Sequence, residues 1–375
     1  MITLLKNLEC YCPKHFDSCD ILIANDRIEK ILPCGEREFN PLVDQSFDCG
    51  GLVAYPGLID QHVHIIGGGG EQGFDSRVGE IQFEDILSAG ITTLVGLLGT
   101  DDCTKSLEAL LAKAKSLEHQ GITTFLYTGS YSIPVVTFTQ SIKRDLVLID
   151  KVIGTGEIAI SDHRSSQPDV GALQEVAHET HIGGLIGGKA GVVHFHVGDG
   201  KLGLAPLLQL VKESDYPIEE FVPTHVNRNP SLFAQAEEYW KNGGNIDLTA
   251  GESAGFTVPD GLRKLLDSGL DLERVTVSSD SNGSIPGGGV SKIQSLFNDI
   301  KNCIVSEKIN PETAIRPVTE NVAKVLKIYP QKGTLQEGSD ADILITDHNF
   351  TINKLFCRGR LMVDHGRILK NVVPS

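Results

Sequence analysis

His62 and His64 stand two apart at the end of the apolar run "LVAYPGLIDQHVH". On a strand, that spacing turns both imidazoles to one face, which is how two nitrogens reach one metal ion. A second pair, His194 and His196, repeats the spacing in "GVVHFHV". His196 is nearer the end of its run and is the candidate ligand, with His194 a layer deeper. His225 closes "FVPTHV" and Asp280 closes "RVTVSSD". A further apolar run, "VIGTGEIAI", carries one carboxylate, Glu157. A bare charge there costs several kcal/mol unless something pairs with it. Taken singly, a strand-end histidine binds a carbonyl and a terminal Asp caps the next helix. Taken together, four histidines and two carboxylates make a nitrogen/oxygen metal site, for which zinc is the usual ion. Six ligands exceed the four of one tetrahedral zinc. A two-metal site with a shared carboxylate and a shared water accounts for the number.

These residues need elements that bring them together. The runs just quoted, with "ITTLVGLL", "TTFLYTGS" and "NIDLTA", make eight short apolar stretches. Most are separated by segments of helical periodicity such as "SLEALLAKAKSLEHQG". Eightfold strand–helix alternation predicts an α/β fold, a closed parallel (β/α)8 TIM-type barrel over residues 55–332. Chemistry then collects at the C-terminal ends of the strands, where these polar residues fall. An open doubly wound sheet fits less well. It would carry a glycine-rich turn leading straight into a helix, whereas Gly67–Gly70 follow a histidine pair and lead into polar sequence. Residues 1–54 and 333–375 are both rich in short strands, which predicts one small β-sandwich domain built from the two ends.

The chain of 375 residues is 40% hydrophobic and 22% charged, as in soluble globular proteins. Its net charge of -16 disfavours nucleic acid and anionic membranes as partners. No apolar run is long enough for a membrane span, and "MITLLKNLECYC" is too short and polar for a signal peptide. Cys10 and Cys12 lack the spacing of a zinc ribbon, so free thiols and a cytoplasmic location are the expectation.

"PGLIDQHVH", His196, His225, Asp280 and the closing "GTLQEGSDADILI" together resemble the amidohydrolase superfamily over nearly the whole chain. Within it, "GGGGEQG", "GLLGTD", "SDHRS", "GGLIGGKAGV", "PTHVNRN" and "SSDSNGS" are most similar to the isoaspartyl (β-aspartyl) dipeptidase family. The resemblance implies hydrolysis of β-aspartyl dipeptides by a metal-activated hydroxide. His62, His64 and Asp280 resemble ligands of the more buried metal, and His196 and His225 those of the second. Asp280 is also the implied acid/base, and Tyr131 resembles the tyrosine that polarises the scissile carbonyl. Glu71 matches the reader of the free α-amino group, and Arg164 and Arg228 match the arginines facing substrate carboxylates. Two arginines and one glutamate complement the two carboxylates and one ammonium of such a dipeptide. Thr100, Ser284 and the Gly67–Gly70 backbone, Gly69 included, are candidates for further hydrogen bonds. The likeness also implies a homo-oligomer. Another amidohydrolase activity, on cyclic amides or N-acyl amino acids, is the alternative. A non-catalytic scaffold fits less well, because the histidine set is intact.

One position departs from the family pattern. The bridging ligand there is usually a carboxylated lysine, and this chain has Glu157, while Lys189 reads as a loop residue. Charge is preserved, since a carbamate and a glutamate are both −1. Reach is not. The glutamate is three bonds shorter, a deficit of roughly 3–4 Å from standard bond lengths. The expectation is two zinc ions bridged directly by Glu157, with the glycines of "GTGE" permitting a bulge or a closer backbone approach.

Overall fold

A computed structural model describes residues 1–12, 14–33, 43–285 and 289–369. Five strands come first: β1 (Ile2–Cys12), β2 (Lys14–Ala24), β3 (Arg27–Pro33), β4 (Gln45–Asp48) and β5 (Val53–Pro56). Then follow β6 (Leu58–Val63), β7 (Ile91–Gly96), β8 (Thr123–Thr128), β9 (Val152–Ile160), β10 (Val192–Val197), β11 (Phe221–Thr224), β12 (Ile246–Thr249) and β13 (Val275–Ser278). Four more end the chain: β14 (Ile343–Thr346), β15 (Ile352–Cys357), β16 (Arg360–Asp364) and β17 (Arg367–Ile368).

Strands β6 to β11 pair in parallel as one sheet, and β12 pairs with β13 as another. The ring closes at both seams. Val226 just past β11 donates to Asp247 O of β12 at 3.3 Å, and Val63 of β6 bridges Ser281 just past β13. The fold is therefore an α/β, TIM-type barrel with a small β domain. The barrel strands are buried almost throughout, which is why they read as continuous apolar runs rather than alternating ones. Inside the ring a buried carboxylate, Asp247, accepts from Gln61, Thr224, Thr276 and Ser278. With four donors on two oxygens, that charge needs no metal partner.

Strands from both chain ends share one nine-stranded sheet, in the order β17-β16-β15-β14-β5-β1-β2-β3 with β4 on β1. Its buried face packs Leu5, Leu8, Ile21, Ile23, Ile343, Ile345 and Phe356. β5 belongs to this sheet and straddles the expected boundary at residue 54. Arg358 and Gly359 both have positive φ, 46° and 72°, as the tight β15–β16 turn requires. Lys332, just after the barrel, is buried between Asp340 and Asp342 at 2.7 and 2.6 Å, tying the barrel's end to the approach to β14.

The cysteine expectation is corrected in part. Cys10 is disulfide-bonded to Cys19 across the β1–β2 hairpin, where antiparallel pairing brings the two strands together. Among the described residues Cys49, Cys103, Cys303 and Cys357 are free, and Cys34 lies outside them. No described helix is long and apolar enough to cross a membrane.

Candidate metal centre and substrate pocket

The barrel brings the six predicted ligands to one point. His62 sits on β6 and His64 one residue past it, His196 on β10, and Glu157 on β9. His225 and Asp280 lie just beyond β11 and β13, both with left-handed backbones at φ 62° and 51°. Such conformations cost about 1–3 kcal/mol each and persist where the surroundings hold them. Here they turn both side chains back over the barrel mouth.

The ligand atoms face one another. His62 Nε2 and His64 Nε2 lie 3.3 and 3.1 Å from Asp280 Oδ1. Glu157 faces both sides: Oε1 is 3.4 Å from His64 Nε2, while Oε2 is 3.1 Å from His196 Nδ1 and 3.7 Å from His225 Nε2. Two groups could each hold an ion, His62–His64–Asp280 and His62–Glu157–His225. Two buried atoms at the centre, His62 Nε2 and Glu157 Oε1, have no hydrogen-bond partner. Buried polar atoms are almost always satisfied, so these orphans fit a nitrogen/oxygen-liganded cation.

The shorter reach of Glu157 is met by a local irregularity. Gly156 pairs with His194 and Ile158 with Phe195, so Glu157 is the extra residue of a bulge between β9 and β10. A side chain on Gly156 would put its Cβ 2.8 Å from His194 Cβ and His194 O, so only glycine permits this approach. The Gly156–Glu157 peptide is cis. Lys189 stays in its loop, donating to Ile149 O at 2.6 Å.

The electrostatics are those of a cation site. Burial pushes Glu157 up, but the facing His62 charge, then the His196 and His225 rings turned toward it, outweigh it and hold the carboxyl well below its ordinary range. Asp280 is lowered likewise, burial again being outweighed by His62 and His64. Burial, with Arg228 beside it, pushes His225 down to about 3, leaving a neutral imidazole. Thr249 Oγ1 orients that ring from 2.7 Å. His194, placed deeper by the sequence, sits with Nε2 2.9 Å from His62 Nδ1. Burial and the charge on His62 keep His194 neutral, so it accepts the His62 Nδ1 proton and leaves Nε2 for an ion.

Above the centre opens a cavity of about 940 Å³ lined by Gly69, Glu71, Thr100, Tyr131, Arg164, Arg228 and Ser284. Every predicted substrate residue therefore lines it. Glu71 Oε1 accepts from Thr100 and Ser284, each at 3.3 Å, and lies 3.5 Å from Arg164 Nη1. Arg228 is buried and donates Nη1 to Val197 O at 3.1 Å. Gly69 has φ +75°, and a Cβ there would meet Ser76 O at 2.7 Å. Tyr131 Oη lies 2.9 Å from His196 Nδ1. Burial, then Glu157, pushes its phenol well above the ordinary value, so it stays a proton donor.

Asp162 was not among the predicted residues, although it is buried against both Arg164 and His196. Its signal was an Asp two before the Arg within "SDHRS", a spacing that suits a side chain folding back on its neighbour.

Comparison with known proteins places this geometry. The family model described as amidohydrolase family matches residues 53–362. The crystal structure of a β-aspartyl dipeptidase from Fervidobacterium islandicum AW-1 is 41% identical, covers 99% of each chain and has a TM-score of 0.93. The same organism's enzyme in complex with β-Asp-Leu is 40% identical, covers 99% of this chain and 98% of that one, and has a TM-score of 0.94. An L-hydantoinase from Paenarthrobacter aurescens is 23% identical, over 92% of this chain and 85% of its own.

Proposed function

The chain belongs to the amidohydrolase family, and from that premise we propose that it is a metal-dependent hydrolase of β-aspartyl dipeptides. The observation that carries this reading is the charge set of the cavity. Glu71, Arg164 and Arg228 line one pocket beside the His–carboxylate cluster. A β-aspartyl dipeptide offers one ammonium and two carboxylates to match. Cyclic amides and N-acyl amino acids offer no ammonium, so a carboxylate placed to read one would serve them nothing.

His62, His64 and Asp280 would hold one ion and His196 and His225 the other, with Glu157 between them. A bound divalent cation supplies the Lewis acidity that activates water and polarises a carbonyl oxygen. The protein does the rest. Glu71 binds the α-ammonium and the two arginines bind the carboxylates, which fixes the side-chain amide over the cluster. Tyr131 donates its hydroxyl proton toward the scissile carbonyl oxygen. Asp280, held ionised, takes a proton from the attacking water and passes it to the leaving amine. Zinc as the ion and two ions per chain belong to this same reading, supported by the nitrogen/oxygen ligand set and the two faces of Glu157. A homo-oligomer, a cytoplasmic location and a division into residues 1–54 plus 333–375 and residues 55–332 complete it.

Assay of purified protein on β-Asp-Leu, hydantoin, dihydroorotate and N-acetyl-leucine tests the reading. Turnover of β-Asp-Leu alone is expected. Turnover of a cyclic amide without β-Asp-Leu hydrolysis overturns it.

A further inference from the structure

We propose that Asp162 is a positioning residue that couples recognition of a substrate carboxylate to the metal centre. The inference rests on the β-aspartyl dipeptidase reading and extends it. Asp162 Oδ1 accepts from Arg164 N and Nε at 2.8 and 2.9 Å. Oδ2 accepts from Arg164 Nη2 at 2.9 Å and lies 3.0 Å from His196 Nε2. One buried carboxylate therefore grips the substrate-facing guanidinium and a ligand histidine together.

Each contact has a consequence. His196 turns Nδ1 to the centre, 3.1 Å from Glu157 Oε2. A neutral imidazole that ligates through Nδ1 carries its proton on Nε2, and that proton needs an acceptor. Arg164 Nη2, 3.2 Å away, is a donor and cannot serve. Asp162 Oδ2 can, so it selects the tautomer whose unprotonated Nδ1 faces the centre, beside Tyr131 Oη at 2.9 Å. The same carboxylate holds Nε and Nη2 of Arg164, leaving Nη1 on the side of Glu71, 3.5 Å away. The fold makes room for this. A Cβ on Gly198, two residues past His196, would fall 2.5 Å from both Cβ and Oδ2 of Asp162.

All four contacts bring donors onto two oxygens, so an isosteric amide would set its own N–H groups against one partner. Asp162→Asn is therefore expected to weaken metal retention against a chelator by about 10- to 100-fold. It should also raise KM for β-Asp-Leu about tenfold or more, as expected for a charged hydrogen bond lost from Arg164. Arg164→Ala should raise KM with metal retention unchanged. Asp162→Glu, which keeps the charge, should recover part of both losses and serves if the amide variant does not fold. The ¹⁵N signals of His196 should report a protonated Nε2 in the wild type and lose that signature in Asp162→Asn, which a role in folding alone would not produce. A variant that changes only KM, only metal retention, or neither overturns the coupling. If the wild type does not hydrolyse β-Asp-Leu, the functional reading fails by itself. The His196 signature and chelator assay then decide for or against Asp162.

Discussion

Glu71 Oε1 and Arg164 Nη1 lie 3.5 Å apart across the mouth of the cavity. The carboxylate that would read the substrate's ammonium is thus paired with a guanidinium that would read its carboxylate. A dipolar substrate exchanges partners with this pair and leaves no charge uncompensated. A substrate lacking either charge leaves one half of the pair facing a neutral group. Acetylating the amino group of β-Asp-Leu, or substituting Glu71→Gln, should lower kcat/KM by roughly 10- to 150-fold, the worth of about 1.5–3 kcal/mol for a hydrogen bond to a charged group. Steady-state kinetics on both pairs check it. An acetylated substrate cleaved as well as the free one refutes the assignment of Glu71.

Glu157 as a direct bridge makes a prediction about carbon dioxide. Metal-free protein should regain full activity on adding zinc, equally with and without bicarbonate, at two equivalents bound per chain. Glu157→Gln should bind less than two. Elemental analysis and reconstitution kinetics read both, and a strong bicarbonate requirement is the contrary result.

His194 receives the His62 Nδ1 proton at 2.9 Å. Losing a partner of this kind costs a metal site about 10- to 100-fold in affinity. His194→Leu should show that loss by chelator competition. His194→Gln, which keeps an acceptor, should show less of it.

Lys332 provides the pH test. Burial lowers its affinity for a proton, but Asp342 and Asp340 outweigh that and raise the ammonium above its ordinary 10.5. A raised folded value means the contribution is fully present below about pH 10.5 and is lost as pH climbs through the folded value. Unfolding free energy of the wild type should therefore fall above that pH by more than in Lys332→Met. The variant itself should be weaker by about 3–5 kcal/mol near neutrality, because two buried carboxylates lose their cation. Denaturant melts across pH 7–11.5 measure both effects, and parallel curves for the two proteins contradict the assignment.

Much of the site could be read before the fold was known, because strand geometry is local. A spacing of two fixes that His62 and His64 share a face whatever surrounds them. The eightfold alternation then placed Asp280 and His225 at the same barrel end. What escaped depends on neighbours distant in sequence. His194 is 132 residues from the ring it supports. The bulge at Glu157 is a matter of register between two strands, and the glycines of "GTGE" hinted only that one was allowed. Asp162 was visible only as part of a short stretch, since nothing local says that its carboxylate also reaches His196. The Cys10–Cys19 bridge needed the hairpin register, not the CYC spacing that drew attention.

The placement of β14 sets the order in which the molecule can be completed. β5 pairs with β1 on one side and β14 on the other. During synthesis its second edge waits for residues 343–346, roughly 15–60 s after Val53 is made, at about 5–20 residues/s. Asp280 is also absent for most of that interval, so no ion can be held by the complete ligand set until residue 280 has been made. The newly made protein passes through a stage with an open strand edge and an incomplete ligand set.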